Sequence, residues 1–173
     1  MDLYSFFLNI QNSGIAQWVN TFGATYPVVE SLHVLAVALV FGSIMVVDLR
    51  LLGVASVNRP FTRVGMDLLK LTWLGFALAV VTGILLFLPN ASSIYQNPNF
   101  QIKMLLILLA GVNMAIMEGV VGRDIATWDT AVKPPTAARI CGFLSLTFWA
   151  GVIIFGRLIG FTTVTDDPFA GLL

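Results

Sequence analysis

Along the chain, apolar positions run in four unbroken stretches set apart by short polar connectors, at about residues 27–52, 68–88, 102–121 and 137–161. Each can cross a hydrocarbon core, which takes about 20 residues of helix. The runs are rich in Leu, Ala and Met and lack the alternation of apolar and polar positions that a barrel strand needs, so they read as helices. Pro60, Pro89, Pro98, Pro134 and Pro135 fall in the connectors, where a missing backbone N–H costs least. Before the first span, Leu3, Phe6, Phe7, Ile10, Ile15, Trp18, Val19 and Phe22 recur at near-helical spacing, broken by Asn12-Ser13-Gly14. This predicts two short helices resting at the membrane interface, with Trp18 at the headgroups, in preference to a docking surface for a partner. The expected architecture is all-α: an integral-membrane four-helix bundle over about 27–165, preceded by an amphipathic segment 1–26 and followed by a tail 166–173. A secretory signal is not expected, because no Lys or Arg precedes Arg50 and no small-residue cleavage site follows a compact apolar core.

Composition agrees with that pattern. Of 173 residues 58% are hydrophobic and 10% charged, against roughly a quarter charged in a soluble domain. Nine Lys and Arg balance nine Asp and Glu, which leaves no basic surface for a phosphate backbone and sets nucleic acid aside as a partner. Cys141 and His33 are the only residues of their types, so one chain offers neither an intrachain disulfide nor a zinc site built from Cys and His. Ser43, Ser145 and Cys141 have no histidine at their own depth, and no Gly-rich phosphate loop is present. A non-catalytic protein is therefore expected.

The charges are not spread evenly. Arg50, Arg59, Arg63 and Lys70 cluster around the connector between spans one and two, and Arg123, Lys133 and Arg139 around that between spans three and four. Lys103 and Arg157 alone lie toward the other side. The positive-inside rule then places both termini outside the cytoplasm. In a bacterial chain this is an inner-membrane protein with its amphipathic start on the periplasmic face.

Ionisable residues at membrane depth are the candidates for function. With ~1.5 Å rise per residue, His33 lies ~9 Å into the first span, with Glu30 one turn nearer the surface. The fourth span returns Arg157 to a similar depth, so Glu30, His33, Arg157, Tyr26 and Lys103 can form an outer cluster, with Thr82 and Gly83 at a similar level. Asp48, Arg50, Asp67, Lys70, Glu118, Arg123 and Arg139 make an inner group of mixed charge. Glu30 and His33 are spaced i, i+3, as in half of a di-iron carboxylate site. The other glutamate, Glu118, is ~24 Å into its span by the same rise, so Glu30 is read instead as orienting the imidazole or pairing with Arg157. A b-type haem would take His33 as axial ligand, Met104 as the facing thioether, Arg157 and Lys103 for the propionates, and Gly83 and Gly156 to admit the ring. Two copies of His33 could otherwise share a cofactor across a homodimer. Copper or iron at His33, with Glu30 or Met, is chemically acceptable but lacks a Met-x-Met or His-x-His cluster. The plainer reading, which is preferred, treats the methionines as core filler and the small residues Ala36, Gly42, Ser43, Gly142, Ser145, Gly151 and Gly156 as helix-packing positions.

Several motifs resemble a family of small bacterial four-span membrane proteins of unknown function. They are Pro27-Val-Val-Glu30-Ser-Leu-His33, Gly42-Ser43, Asp48-Leu-Arg50-Leu-Leu-Gly53, Lys103, Asn113, Trp128-Asp129, Pro134-Pro135, Ala138-Arg139 and Gly156-Arg157. The resemblance covers nearly the whole chain and implies a four-span fold but no established activity. A histidine early in a span, followed by Ala and Gly, is more distantly similar to the copper-resistance D-type proteins and to the haem-using protoporphyrinogen oxidase of the inner membrane. The closer resemblance implies a second histidine a few residues after the third-span asparagine, where this chain has Met117-Glu118. A site using both histidines is then broken here, or Glu118 serves as a different ligand or a proton carrier.

Two functional classes follow. One is a non-catalytic membrane subunit or assembly protein, holding haem b or a metal at His33 and facing a periplasmic redox partner. The alternative is a small oligomeric transporter or proton-coupled channel using His33 and Glu118. Both expect a homo-oligomer or larger membrane complex, because four spans give a thin bundle in which to shield charges from lipid.

Overall fold

The structure, a computed structural model, describes residues 2–163; the expected tail at 166–173 lies outside the described residues. Every regular element described is helical. Four helices are long: α3 (Thr25–Leu51), α4 (Phe61–Phe87), α6 (Pro98–Gly119) and α8 (Thr136–Thr162). Four are short: α1 (Leu3–Gln11), α2 (Gly14–Thr21), α5 (Ala91–Ile94) and α7 (Ile125–Trp128). The 27 residues of α3 rise ~40 Å, more than the ~30 Å of a hydrocarbon core. Each long helix contains a stretch of mean hydropathy 1.8 to 2.3, and the protein itself buries only 11 to 22% of that stretch. Apolar side chains such as Leu74, Leu108, Phe143 and Ile154 point outward. Water would not tolerate so much exposed apolar surface and lipid does, so this is a multi-pass membrane protein.

Helix α4 begins at Phe61, well before the apolar run starts near residue 68. Hydropathy marks the stretch that sits in lipid, whereas helical hydrogen bonding extends past it through Thr62, Arg63 and Asp67. The early start has a cap from far along the chain. Asp129 accepts from the Thr62 backbone N–H at 2.7 Å and from its hydroxyl at 2.8 Å, while the Asp129 carbonyl accepts from Phe61 N–H at 2.9 Å. Those N–H groups would otherwise be orphans of the first turn.

Across the bundle the helices stand in the order α4, α3, α8, α6, with α3 tightly packed on α4, α6 on α8, and α3 joining the two pairs through α8. Close approach depends on small residues. A Cβ on Gly142 would stand 2.9 Å from Leu51 Cβ and 3.1 Å from the Asp48 carbonyl, and one on Gly151 would stand 2.7 Å from Leu106 Cδ1. Gly75, on α4, does the same against Val40 and Ala36 of α3, whereas Gly42 faces open space and is not a packing position. Buried polar bonds add to the seams: Ser43 with Thr72 at 2.7 Å between α3 and α4, and Asn113 Nδ2 donating to the Cys141 carbonyl at 2.9 Å between α6 and α8.

One end of the bundle is tied by Arg50, which has 0% exposure. Its Nε donates to the Arg59 carbonyl at 2.9 Å, and Nη2 donates to the carbonyls of Asp129 and Ala131 at 3.1 and 3.0 Å. A single guanidinium thus holds the α3–α4 connector and the α7–α8 connector together. The cation also sits in the last turn of α3, where the helix dipole favours positive charge. Gly53 adopts φ +72°, and a Cβ there would press within 3.0 Å of the Val132 carbonyl. Only glycine lets the chain leave α3 while the second connector passes so close. Beneath the knot Leu51, Trp128 and Ala138 form a buried apolar cluster with Phe61 against it.

At the opposite end α1 and α2 fold onto the elbow between α4 and α6. Ser13 caps α2, accepting from Ala16 N–H at 3.4 Å. Gln11 Oε1 accepts from the Ser92 backbone and hydroxyl at 3.1 and 2.6 Å, and Phe7 stacks on Tyr95 at 4.4 Å. Asn97 caps α6 and donates to Thr162 at 2.9 Å, joining the start of α6 to the end of α8.

Lysine cannot reproduce the planar fork of Arg50. Arg50→Lys is expected to forfeit at least two of its three bonds, each worth ~1.5–3 kcal/mol when a charged group is involved. The midpoint of thermal unfolding in detergent should fall by roughly 6–24 °C, at about 2–4 °C per kcal/mol for a chain of this size. The exposed Arg59→Lys serves as a control and should change it little.

Candidate functional site

Because α4 and α6 are the outer members of the row, they flank a cleft; among the described residues they meet at one end, where Phe87 stacks on Phe100 at 5.3 Å. The cleft has a volume of about 450 Å³. Helical periodicity places its walls: Val40, Ile44, Val47, Asp48 and Leu51 share one face of α3, while Cys141, Ser145 and Trp149 recur at every fourth position of α8. Helix α4 contributes Thr72, Trp73 and Phe76, and α6 contributes Asn113, Met114, Met117 and Glu118. The lining is mostly apolar, with its polar groups gathered toward the Arg50 end.

Asp48 is the distinctive member of that wall. It is only 4% exposed, yet its Oδ2 has no hydrogen-bond partner. Ser145 and Cys141 of α8 lie beside its carboxyl group. Asn113 is occupied by the Cys141 carbonyl and Thr72 by Ser43. An unsatisfied buried polar atom is uncommon and calls for a physical reason. Arg50, two positions on, does not supply one: its guanidinium turns into the connectors, and its own Nη1 is likewise unpartnered.

The residues expected to form an outer cluster separate into two groups. His33 meets Gly83 between α3 and α4, and Lys103 meets Gly156 between α6 and α8, as two half-buried pairs. His33 Nδ1 lies 2.9 Å from Thr82 Oγ1, and that hydroxyl donates to the Leu78 carbonyl at 2.7 Å. A hydroxyl has one proton, so Nδ1 is the donor to Thr82, and in a neutral ring Nε2 keeps its lone pair. Gly83 is small because the imidazole occupies its flank: a Cβ would stand 3.1 Å from His33 Cε1. Gly156 lies against the stem of Lys103 in the same way, 3.5 Å from Nζ. Glu30, Met104 and Arg157 instead face outward; Met104 is 49% exposed, and the Arg157 guanidinium sits 5.2 Å above the Phe161 ring.

Within one chain these residues do not make a haem pocket, since the flanks of both glycines are filled by protein side chains and Met104 is turned away. Among the described residues no group of three His, Cys, Asp or Glu side chains could hold a metal ion. Nor do His33 and Glu118 share a site, for Glu118 lines the cleft and His33 does not. The cleft itself was not foreseen from the sequence. Its one legible sign is that Asp48 falls on the same helical face as Val40, Ile44 and Leu51, a carboxyl group in an otherwise apolar stripe.

Compared with known proteins, residues 6–162 match a family of unknown function, DUF6644. No curated protein and no solved structure matches the chain.

Thr82→Val should remove the acceptor of the His33 Nδ1–H and leave helix packing intact. The expected cost is about 1 kcal/mol, read as a modest fall in unfolding midpoint. Nitrogen NMR of the wild-type imidazole should show the proton on Nδ1; a ring protonated on Nε2 would contradict the assignment.

Proposed function

The chain belongs to DUF6644, a family of unknown function, and we propose that it is a non-catalytic membrane protein that binds a lipid-soluble small molecule entering sideways between α4 and α6. The observation that carries this reading is the cleft: an apolar hollow of about 450 Å³, with a few polar groups at one end, on the lipid-facing side of the bundle. Pockets for small ligands have this size and lining. The polar side chains within the spans support a holding role, since Ser43, Thr72, Thr82 and Asn113 join helix to helix.

In the membrane the Arg50 end faces the cytoplasm and both termini face outward, as the basic residues around the two connectors favour; in a bacterium this is the inner membrane. The outward-facing Glu30, Met104 and Arg157 fit contact with another copy of the chain or with a periplasmic redox partner. One feature supports a second reading, in which His33 binds a metal or haem b. The bond to Thr82 leaves Nε2 free to act as a ligand, and a further ligand would have to come from another chain. A transporter or proton-coupled channel has less support, because Glu118 and His33 occupy different places.

Native mass spectrometry of protein extracted from its own membrane in mild detergent tests the main reading. A retained small molecule is expected, and Met114→Trp, which fills the cleft, should release it. Wild-type protein free of any small molecule across several detergents would contradict the reading. For the second reading, visible absorption in the haem region or bound copper or iron should be present in the wild type and lost in His33→Ala; a chromophore that survives the substitution excludes His33 as its ligand.

A further inference from the structure

The cleft has a polar recognition point, and its chemistry narrows the occupant. Asp48 is 4% exposed, lies in the cleft wall, and holds one oxygen with no partner. Leaving such an atom unpaired away from water is costly, and a charged carboxylate costs more. Few surrounding polar groups are left to relieve it: Asn113 donates to the Cys141 carbonyl, Thr72 and Ser43 bond each other, and only the Ser145 hydroxyl lies beside the carboxyl group. Gly142 lets α8 approach the Asp48 backbone closely, so the side chain is held at the closed end of the hollow while the α4–α6 side stays open. Away from Asp48 the hollow is bounded by Phe76 and Ile107, which have no hydrogen-bonding side-chain group, and by Trp149, whose indole N–H can only donate.

From this arrangement we propose that Asp48 selects the ligand: an amphiphile with a single hydrogen-bond donor head, a hydroxyl or an amine, inserted head-first so that the donor meets the Asp48 carboxyl group while its apolar body lies between α4 and α6. Glu118 lines the same cleft but is exposed, so it stands at the rim and Asp48 at the base. The inference rests on the binding reading above and adds the class of ligand to it. A second copy of the chain inserting a helix into the cleft would present an apolar surface and leave Oδ2 unsatisfied, which is why a small donor-bearing molecule fits better.

The test uses the full chain in lipid nanodiscs and two probes that differ in one group: a dibrominated long-chain alcohol and its methyl ether. Bromine quenches tryptophan, and Trp73 and Trp149 both line the cleft. The alcohol should quench saturably at a concentration roughly 2- to 10-fold below the ether, the difference one hydrogen bond makes. Asp48→Leu should bring the alcohol to the level of the ether and leave the ether unchanged. Met114→Trp should remove saturable quenching by both. Equal binding of alcohol and ether to the wild-type protein overturns the role of Asp48 while leaving the cleft a binding site, and that comparison stands even where Asp48→Leu fails to fold. Quenching that never saturates with either probe, or a stable dimer cross-linked through α4 and α6, overturns the binding reading itself.

Discussion

A buried guanidinium organises this protein. Removing the charge of Arg50 from water is costly, and it is tolerated because Nε and Nη2 donate to three backbone carbonyls and the C-terminal end of α3 adds a favourable field. Those carbonyls belong to two connectors far apart in sequence. The knot therefore sets where α4 starts and where α8 starts, and through them how the two helix pairs meet. Asp129 extends the same junction by capping α4, and Gly53 lets the connectors approach.

Inside the membrane there is little hydrophobic gain from packing helix on helix, because lipid is as apolar as leucine. The bundle relies on small residues and a few polar bonds instead: Gly75 and Ser43 between α3 and α4, Gly142 between α3 and α8, Gly151 and Asn113 between α6 and α8. No equivalent seam joins α4 to α6. The cleft is the consequence. It is where the row of helices ends on both sides, and its wall includes Asp48, a buried carboxyl group with an unpartnered oxygen.

The all-helical fold and its four spans were legible in the sequence because lipid imposes a simple rule, long apolar runs with turns between them. The motif Asp48-Leu-Arg50-Leu-Leu-Gly53 was also visible, but its meaning was not. Spacing shows that Asp48 and Arg50 lie near one end of a span; it does not show that they point to opposite tasks, one into the connectors and one into the cleft. The partner carbonyls of Arg50 sit at Arg59, Asp129 and Ala131, and backbone acceptors carry no residue signature. Counting depth along straight helices brought His33, Gly83, Lys103 and Gly156 to one level, and the structure pairs His33 with Gly83 and Lys103 with Gly156. Depth alone does not say which way a side chain turns, so Met104 and Arg157, at a similar level, were grouped with residues they do not meet.

The central claim is that the space between α4 and α6 is a ligand site with Asp48 at its base. An experimental map of the protein in nanodiscs prepared from its native membrane addresses it most directly. Elongated non-protein density between α4 and α6, ending within hydrogen-bond distance of the Asp48 carboxyl group, is the predicted result. Direct packing of α4 on α6, or a helix of a second copy filling the cleft, would contradict it.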